Sequence, residues 1–456
     1  MRRPDEANTN TSTAELSDDN IEHEGPIVYD ELHVVCPPHT TERKLVTRID
    51  FRLMPFIIIM YLLAFLDRVN IANARTFNLT ADLNLTGTQY NTVCQGLVQN
   101  YSGLLATRFF LGLFETGMFP GCFYLLGMWY RRSEAQKRYS LFFSSTSLAG
   151  AFGGLLASAI GKMDGIRGYS GWRWIFILEG ILTVLVAFVF FFFFPSFPEQ
   201  AHWLQEDERD YIRARLQADQ GHSAAERKVG FRDVVSVMKD YRVWLGGFMY
   251  FGLIVPAYGY AFFAPQIIKT YNYSAIQTQL RSVPPWAVSF GFSLIIAAFS
   301  DWFRHRALFA ILPLFLSIAG FGILISVHNN TNLEYAALFL VVMGTYGAMP
   351  IIVCWFNMNL GGHHRRSIGT AWQVGFGNIG GIIATYAFLD SDAPYYRKGY
   401  SISIAFTALS GLTSIVYLTT LMFENRKRAK SVRAVGLSDY EKSELGDLNP
   451  EFKYMY

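Results

Sequence analysis

The chain has 456 residues, of which 51% are hydrophobic, 16% aromatic and only 16% charged, where an average soluble protein carries about 25% charge. Its 39 Phe and 9 Trp gather with other apolar residues in long uncharged runs, so the solvent implied is lipid. The net charge of +3 is spread as short Lys and Arg clusters between those runs, which is a topology signal and excludes a nucleic-acid footprint.

The first fifty residues are polar, opening "MRRPDEANTNTSTAELSDDN", and read as a disordered cytoplasmic tail (1–50) with no cleavable leader. About twenty apolar residues cross a bilayer. Windows of that length predict ten helical spans, at 53–74, 103–129, 140–161, 173–194, 243–267, 283–300, 307–327, 335–358, 367–389 and 401–422. The loops at 130–139, 195–242, 301–307, 361–366 and 424–430 are basic, and the alternate loops are poor in Lys and Arg, so both termini are expected in the cytoplasm. Sequons at Asn78, Asn84, Asn100, Asn272 and Asn329 all fall in loops this rule puts outside, while Asn10 lies in the cytoplasmic tail. The four cysteines, at 36, 94, 122 and 354, have no CxxC or metal spacing, so neither disulfide, metal nor cofactor is expected.

The longest polar interruption, 195–242, has Glu206 and Asp210 at helical spacing from Arg213 and predicts a cytoplasmic surface helix. It divides the chain into an N-terminal bundle (51–194) and a six-span C-terminal bundle (243–422), followed by a cytoplasmic tail (423–456). Two bundles joined by a long loop suggest a transporter built from repeats, with its site between the halves near mid-membrane. The repeats are unequal: four spans occupy 142 residues (53–194) and six occupy 180 (243–422), a deficit of 38.

Four stretches, "FLDRVNIANAR", "LLATRFFLGLFETGMFPGCFYLLGMWYRRSEAQKR", "SGWRWIFILEG" and "GTAWQVGFGNIGGIIATYAF", resemble the fungal allantoate permease family, the anion:cation symporter branch of the major facilitator superfamily. The resemblance covers essentially all of 48–430. It implies an all-α membrane fold of two helix bundles, a fungal plasma-membrane location, and carriage of small organic anions such as allantoate, nicotinate, pantothenate or biotin, with protons as co-substrate. Members have twelve spans. This chain jumps near Asn91 and Thr92 from before the second span to near the end of the third, so the second span and most of the third are missing and 75–102 is expected as one external loop. Loss of nearly two spans preserves the parity of every later one.

Charges inside spans are expensive and therefore functional hypotheses. Adjacent residues on a helix diverge by about 100°, so Asp67 and Arg68 cannot simply pair with each other. Arg68, whose planar fork suits a carboxylate, is the substrate clamp, with a structural ion pair or snorkelling to the interface as the alternative. The resemblance places Asn70 and Asn73 near the substrate with it. Glu115, about mid-membrane, is the first choice of proton carrier, with Asp67 and Arg108 beside it in that role; the alternative is a buried Glu bonded to a neighbouring helix. Arg108 and Gly112 match the start of the superfamily's R-x-x-x-G-x-x-x-G pattern, although Thr116 holds the second glycine's place. Glu179 is a second buried carboxylate, with tying helices together as its alternative role. Tyr258, Tyr260, Asn357, Gln373 and Asn378 are neutral groups able to orient a substrate or to bond between helices. "SDWFRHR" resembles the second-half copy of the superfamily's cytoplasmic gate motif, which marks Asp301 and Arg304.

No HExxH, GxSxG or Walker loop supports an enzyme, and the charges form no rings as in a channel. The expectation is a proton-coupled symporter of a small organic anion, monomeric by default. The alternative is a truncated, non-transporting product of a mis-spliced or incompletely read transporter gene.

Overall fold

The structure is a computed structural model that describes residues 36–77, 101–115, 117–195, 197–220, 230–328, 330–361, 363–431 and 452–456. Backbone in lipid must satisfy its own hydrogen bonds, and the apolar runs accordingly become helices; among the described residues there is no strand. The first half holds α1 (Glu42–Thr76), α2 (Tyr101–Glu115), α3 (Met118–Trp129), α4 (Arg132–Ile160) and α5 (Gly171–Phe193). Two polar helices follow, α6 (Glu206–Gln220) and α7 (Phe231–Met238). The second half holds α8 (Tyr241–Lys269), α9 (Ala275–Phe303), α10 (Arg306–Ser326), α11 (Thr331–Met358), α12 (His363–Ala387) and α13 (Arg397–Ser431).

Eight described helices are long and apolar enough to cross a membrane. Two expected spans are not in that set. The stretch 103–129 is divided between α2 and α3; Pro120 has no backbone N–H to give and suits the first turn of a new helix. The stretch 367–389 lies largely in α12, whose Gln373, Asn378 and glycines dilute its apolar character. The expected break near Asn91 and Thr92, and the sequons other than Asn272, lie outside the described residues.

Within the first half α1 packs on α4 and α5; within the second, α8 packs on α12 and α13, and α10 on α11. The halves meet chiefly where α4 crosses α9. That crossing is close because Gly150 has no side chain: a Cβ there would stand 2.5 Å from the Trp286 ring. Ser147 and Ser289 face each other across it at 3.4 Å.

The polar helix α6 is docked onto the ends of α1 and α4. Arg215, 1% exposed, pairs with Glu42 at 3.0 Å and with Glu134. Arg48 reaches the buried Glu208 at 2.9 Å, while the Asp210–Arg213 pair at 3.6 Å stays on the outer face. At the corresponding end of the second half, Asp240 N-caps α8 and takes Arg242 and Arg365, each at 2.7 Å. Burial works to raise that carboxyl, but the two guanidiniums outweigh it and hold it below the usual carboxylate range.

Candidate functional site

The helical period of α1 sorts its polar residues into two sets. Tyr61, Phe65, Arg68 and Ala72 recur every three or four residues and share one face, which lines a cavity of about 620 Å³ between the halves. Asp67 and Asn70 fall on another face, toward α5. There Asn70 donates to Glu179 through a short contact, and Thr183 donates to Asp67 at 3.5 Å. Asn73 donates to Asn70 at 3.5 Å and accepts, through its main-chain oxygen, from Gln279 at 3.4 Å. The two adjacent charges therefore serve different surfaces: Asp67 a helix–helix seam, Arg68 the cavity.

Inside the cavity Arg68 Nε donates to Glu115 Oε2 at 2.8 Å. Its Nη1 also reaches the Tyr258 hydroxyl at 3.5 Å, and that hydroxyl donates to Asn378 Oδ1 at 3.4 Å. One chain of polar contacts thus runs from α2 through α1 to α8 and α12, joining both halves. The rest of the wall is apolar and aromatic, with Tyr250 and Phe262 on α8 and Tyr346 and Met349 on α11. Such a chamber suits a small molecule with a flat apolar body and one anionic end: rings offer stacking faces, and Arg68 offers a fork.

Of the sequence-predicted residues, Arg68, Glu115 and Asn378 line this cavity, while Asn70, Asn73, Tyr260, Asn357 and Gln373 do not. Tyr260 is 3% exposed, lies against Trp286 at 5.1 Å, and its hydroxyl has no partner among the described residues. Tyr258 takes its expected place, since Tyr250, Ile254, Tyr258 and Phe262 form an i, i+4 stripe from which a residue two positions on departs by roughly 200°. Asn357 accepts from Thr370 and donates to Val353 O at 2.9 Å, while the Gln373 Nε2 donates to Gly246 O at 3.2 Å; both amides donate within or between helices. The side chain of Arg108 lies outside the described residues.

The expected gate pair also differs. Asp301 pairs with Arg306 at 2.6 Å, and Arg306 further donates to Ser300 at 3.1 Å. Arg304 is exposed, because α9 ends at Phe303 and Arg304 takes a left-handed C-cap with φ of 55° that turns the chain outward. Among the described residues no group of three His, Cys, Asp or Glu is placed to hold a metal.

Comparison with known proteins agrees with this architecture. The family described as Major Facilitator Superfamily matches residues 85–385. The chain is 28% identical over 471 positions to the high-affinity nicotinic acid transporter of Saccharomyces cerevisiae, covering 94% of this chain and 87% of that one. It is 29% identical over 463 positions to the major facilitator-type transporter hxnP of Emericella nidulans, covering 91% and 93%. Among solved structures, a bacterial homologue of the human lysosomal transporter Spinster, inward-facing and occupied, matches with a TM-score of 0.56 at 11% identity over 83% of this chain and 97% of that one. The proton:xylose symporter XylE matches with a TM-score of 0.54 at 15% identity, over 83% and 86%.

Proposed function

Since the chain belongs to the Major Facilitator Superfamily, and is thus a multi-pass membrane transporter and not an enzyme, we propose that it is a secondary active, proton-coupled symporter of a small organic anion. The substrate class is a nicotinate-, allantoate- or vitamin-like monocarboxylate, carried by a monomer with both termini in the cytoplasm, in a fungal plasma membrane. The observation that carries the reading is the Arg68–Glu115 pair at 2.8 Å inside an aromatic chamber shared by both halves. Similarity to a nicotinic acid transporter supports the anion class, and similarity to a proton symporter's fold is compatible with the coupling.

The chemistry follows from one guanidinium having two claimants. With Glu115 ionised, its carboxylate occupies Arg68 and leaves little for a substrate. A proton arriving on Glu115 cancels its charge and frees the fork of Arg68, which then binds the substrate carboxylate in two-point fashion. Tyr258 and Asn378, from the other half, complete the contact, so binding draws the halves together around the substrate. Release of substrate and of the proton lets Glu115 return to Arg68 and resets the empty carrier. Competition for one cation makes the proton and the anion travel together.

Uptake tests this. Cells expressing the protein should accumulate a labelled aromatic monocarboxylate from acid medium, and Glu115→Gln should keep binding while losing the dependence on external pH. A protein that reaches the membrane yet accumulates nothing across a panel of organic anions would sink the proposal.

A second reading, an incomplete and non-transporting product, has its own support. The alignment with the nicotinic acid transporter spans 471 positions but 94% of 456 residues is about 429, which leaves about 42 positions without a counterpart in this chain. Reading the genomic DNA between the codons of Asn91 and Thr92 decides. An in-frame intron of mostly apolar codons favours the incomplete product; an uninterrupted exon removes it.

A further inference from the structure

Residues 452–456, "FKYMY", lie as a short irregular segment on the end of the second half that carries Asp240 and Asp301. Two asparagines hold the main chain of successive residues of this segment by two bonds each. Asn425 of α13 donates to Tyr454 O at 2.9 Å and accepts from Tyr454 N at 2.9 Å. Asn359, which caps α11, donates to Met455 O at 3.0 Å and accepts from Met455 N at 2.7 Å. Further donors continue the line: Arg428 to Phe452 O at 2.9 Å, the Trp355 ring N–H to Met455 O at 2.9 Å, and the Arg306 main chain to Tyr456 O at 2.6 Å.

The Tyr454 ring, 2% exposed, sits between two guanidiniums, with Arg428 at 4.6 Å and Arg242 at 5.0 Å from its centroid, and its hydroxyl accepts from both. The neighbouring Lys453 is exposed. Main-chain recognition by side-chain amides, with one aromatic pocket, is the chemistry of a peptide-binding groove. With the segment in place Trp355 is 0% and Asn359 2% exposed, and both spend polar atoms on it.

We propose that this end of the second half is a peptide-binding groove, occupied in cis by residues 452–456 as a strap that braces α8, α10, α11 and α13. The groove reports to the cavity through α11, because Tyr346 and Met349 line the cavity on the helix whose end carries Trp355 and Asn359. Only this last link rests on the transport reading.

Hydrogen exchange on the intact protein in nanodiscs is the first test. The amides of Tyr454 and Met455 should exchange at least about tenfold more slowly than in the free pentapeptide; exchange at the free-peptide rate overturns the groove. The second test uses acetyl-FKYMY carrying a fluorophore. A chain ending at residue 451 should bind it, with the Tyr454→Ala peptide at least about tenfold weaker, while the full chain should bind little. Equal binding to both chains, or none to the shortened one, overturns cis occupancy. Uptake then tests the link: with docking established, a shortened chain that transports at the full rate overturns the bracing and leaves the groove standing.

Discussion

Of the apolar stretch of α8, the helix that opens the second half, 78% is buried; of α1, which opens the first, 50% is. The glycines repeat the contrast. A Cβ on Gly344 of α11 would meet Pro313 O and Ser317 N at 2.4 Å, so two helices touch there backbone to backbone. Gly112 of α2, Gly117 at the start of α3 and Gly121 within α3 have nothing within 4 Å among the described residues. Small residues in a membrane helix are useful where a partner approaches. Gly344 on α11 is used that way, as is Gly150 on α4, and the α2–α3 segment carries its glycines without a described partner. Residue type alone therefore records where a helix is meant to be met, and geometry records whether it is.

The largest expected effect tests whether the first half contributes a site. Arg68→Ala removes the cation both carboxylates need and leaves the part-buried Glu115 without this partner. Uptake should fall by about a hundredfold or more, measured as initial rate at equal surface expression; unchanged uptake would show that the first half contributes no site. Next comes Gly344→Leu, whose overpacking should cost about 3 kcal/mol or more and prevent recovery of folded protein in detergent. Its partner, Gly121→Leu, should stay within about 0.5 kcal/mol of the parent. If both variants collapse alike, α3 is covered after all and the contrast between the halves fails.

Asp240→Asn comes third, at about 2 kcal/mol, from weakening charged bonds to Arg242 and Arg365. Because that carboxyl is held below its ordinary range, its stabilising contribution is complete above the ordinary carboxylate pKa and is lost as pH falls through the lowered value. The parent's melting temperature should therefore drop toward pH 3 by more than that of the variant, and equal acid slopes would remove Asp240 from the account. The smallest effect belongs to Tyr258→Phe, which deletes a neutral hydroxyl touching Arg68 and Asn378. About 1 kcal/mol, or several-fold in apparent KM, is expected, and no change would remove the Tyr258 hydroxyl from recognition.

What could be read in the sequence tracks what is expensive in lipid. Apolar runs and basic loops announced the all-α membrane fold, and charges inside those runs pointed to Arg68 and Glu115, which meet in the cavity. Neutral groups carry a smaller penalty, so Tyr258 and Tyr260 looked alike until the phase of α8 separated them. Asn357 and Gln373 occupy the right helices, yet an amide is as easily spent on a nearby carbonyl as on a ligand. Arg304 and Arg306 flank a helix end, and only the handedness of the cap decides which one turns back to Asp301. The peptide groove was invisible for another reason: its two asparagines are 66 residues apart in sequence and meet only through the segment they hold.

The Arg68–Glu115 contact has an electrical consequence. Moving one unpaired charge through a membrane potential involves about 2.3 kcal/mol per 100 mV, but an ion pair carries no net charge through the field. On the proposed cycle the empty carrier reorients as a neutral pair, and the loaded one as a protonated acid beside a neutralised guanidinium. Voltage then drops out of both halves of the cycle. The pH difference alone would set the limit of accumulation, about tenfold for each unit, and a collapsed membrane potential would leave that limit where it was.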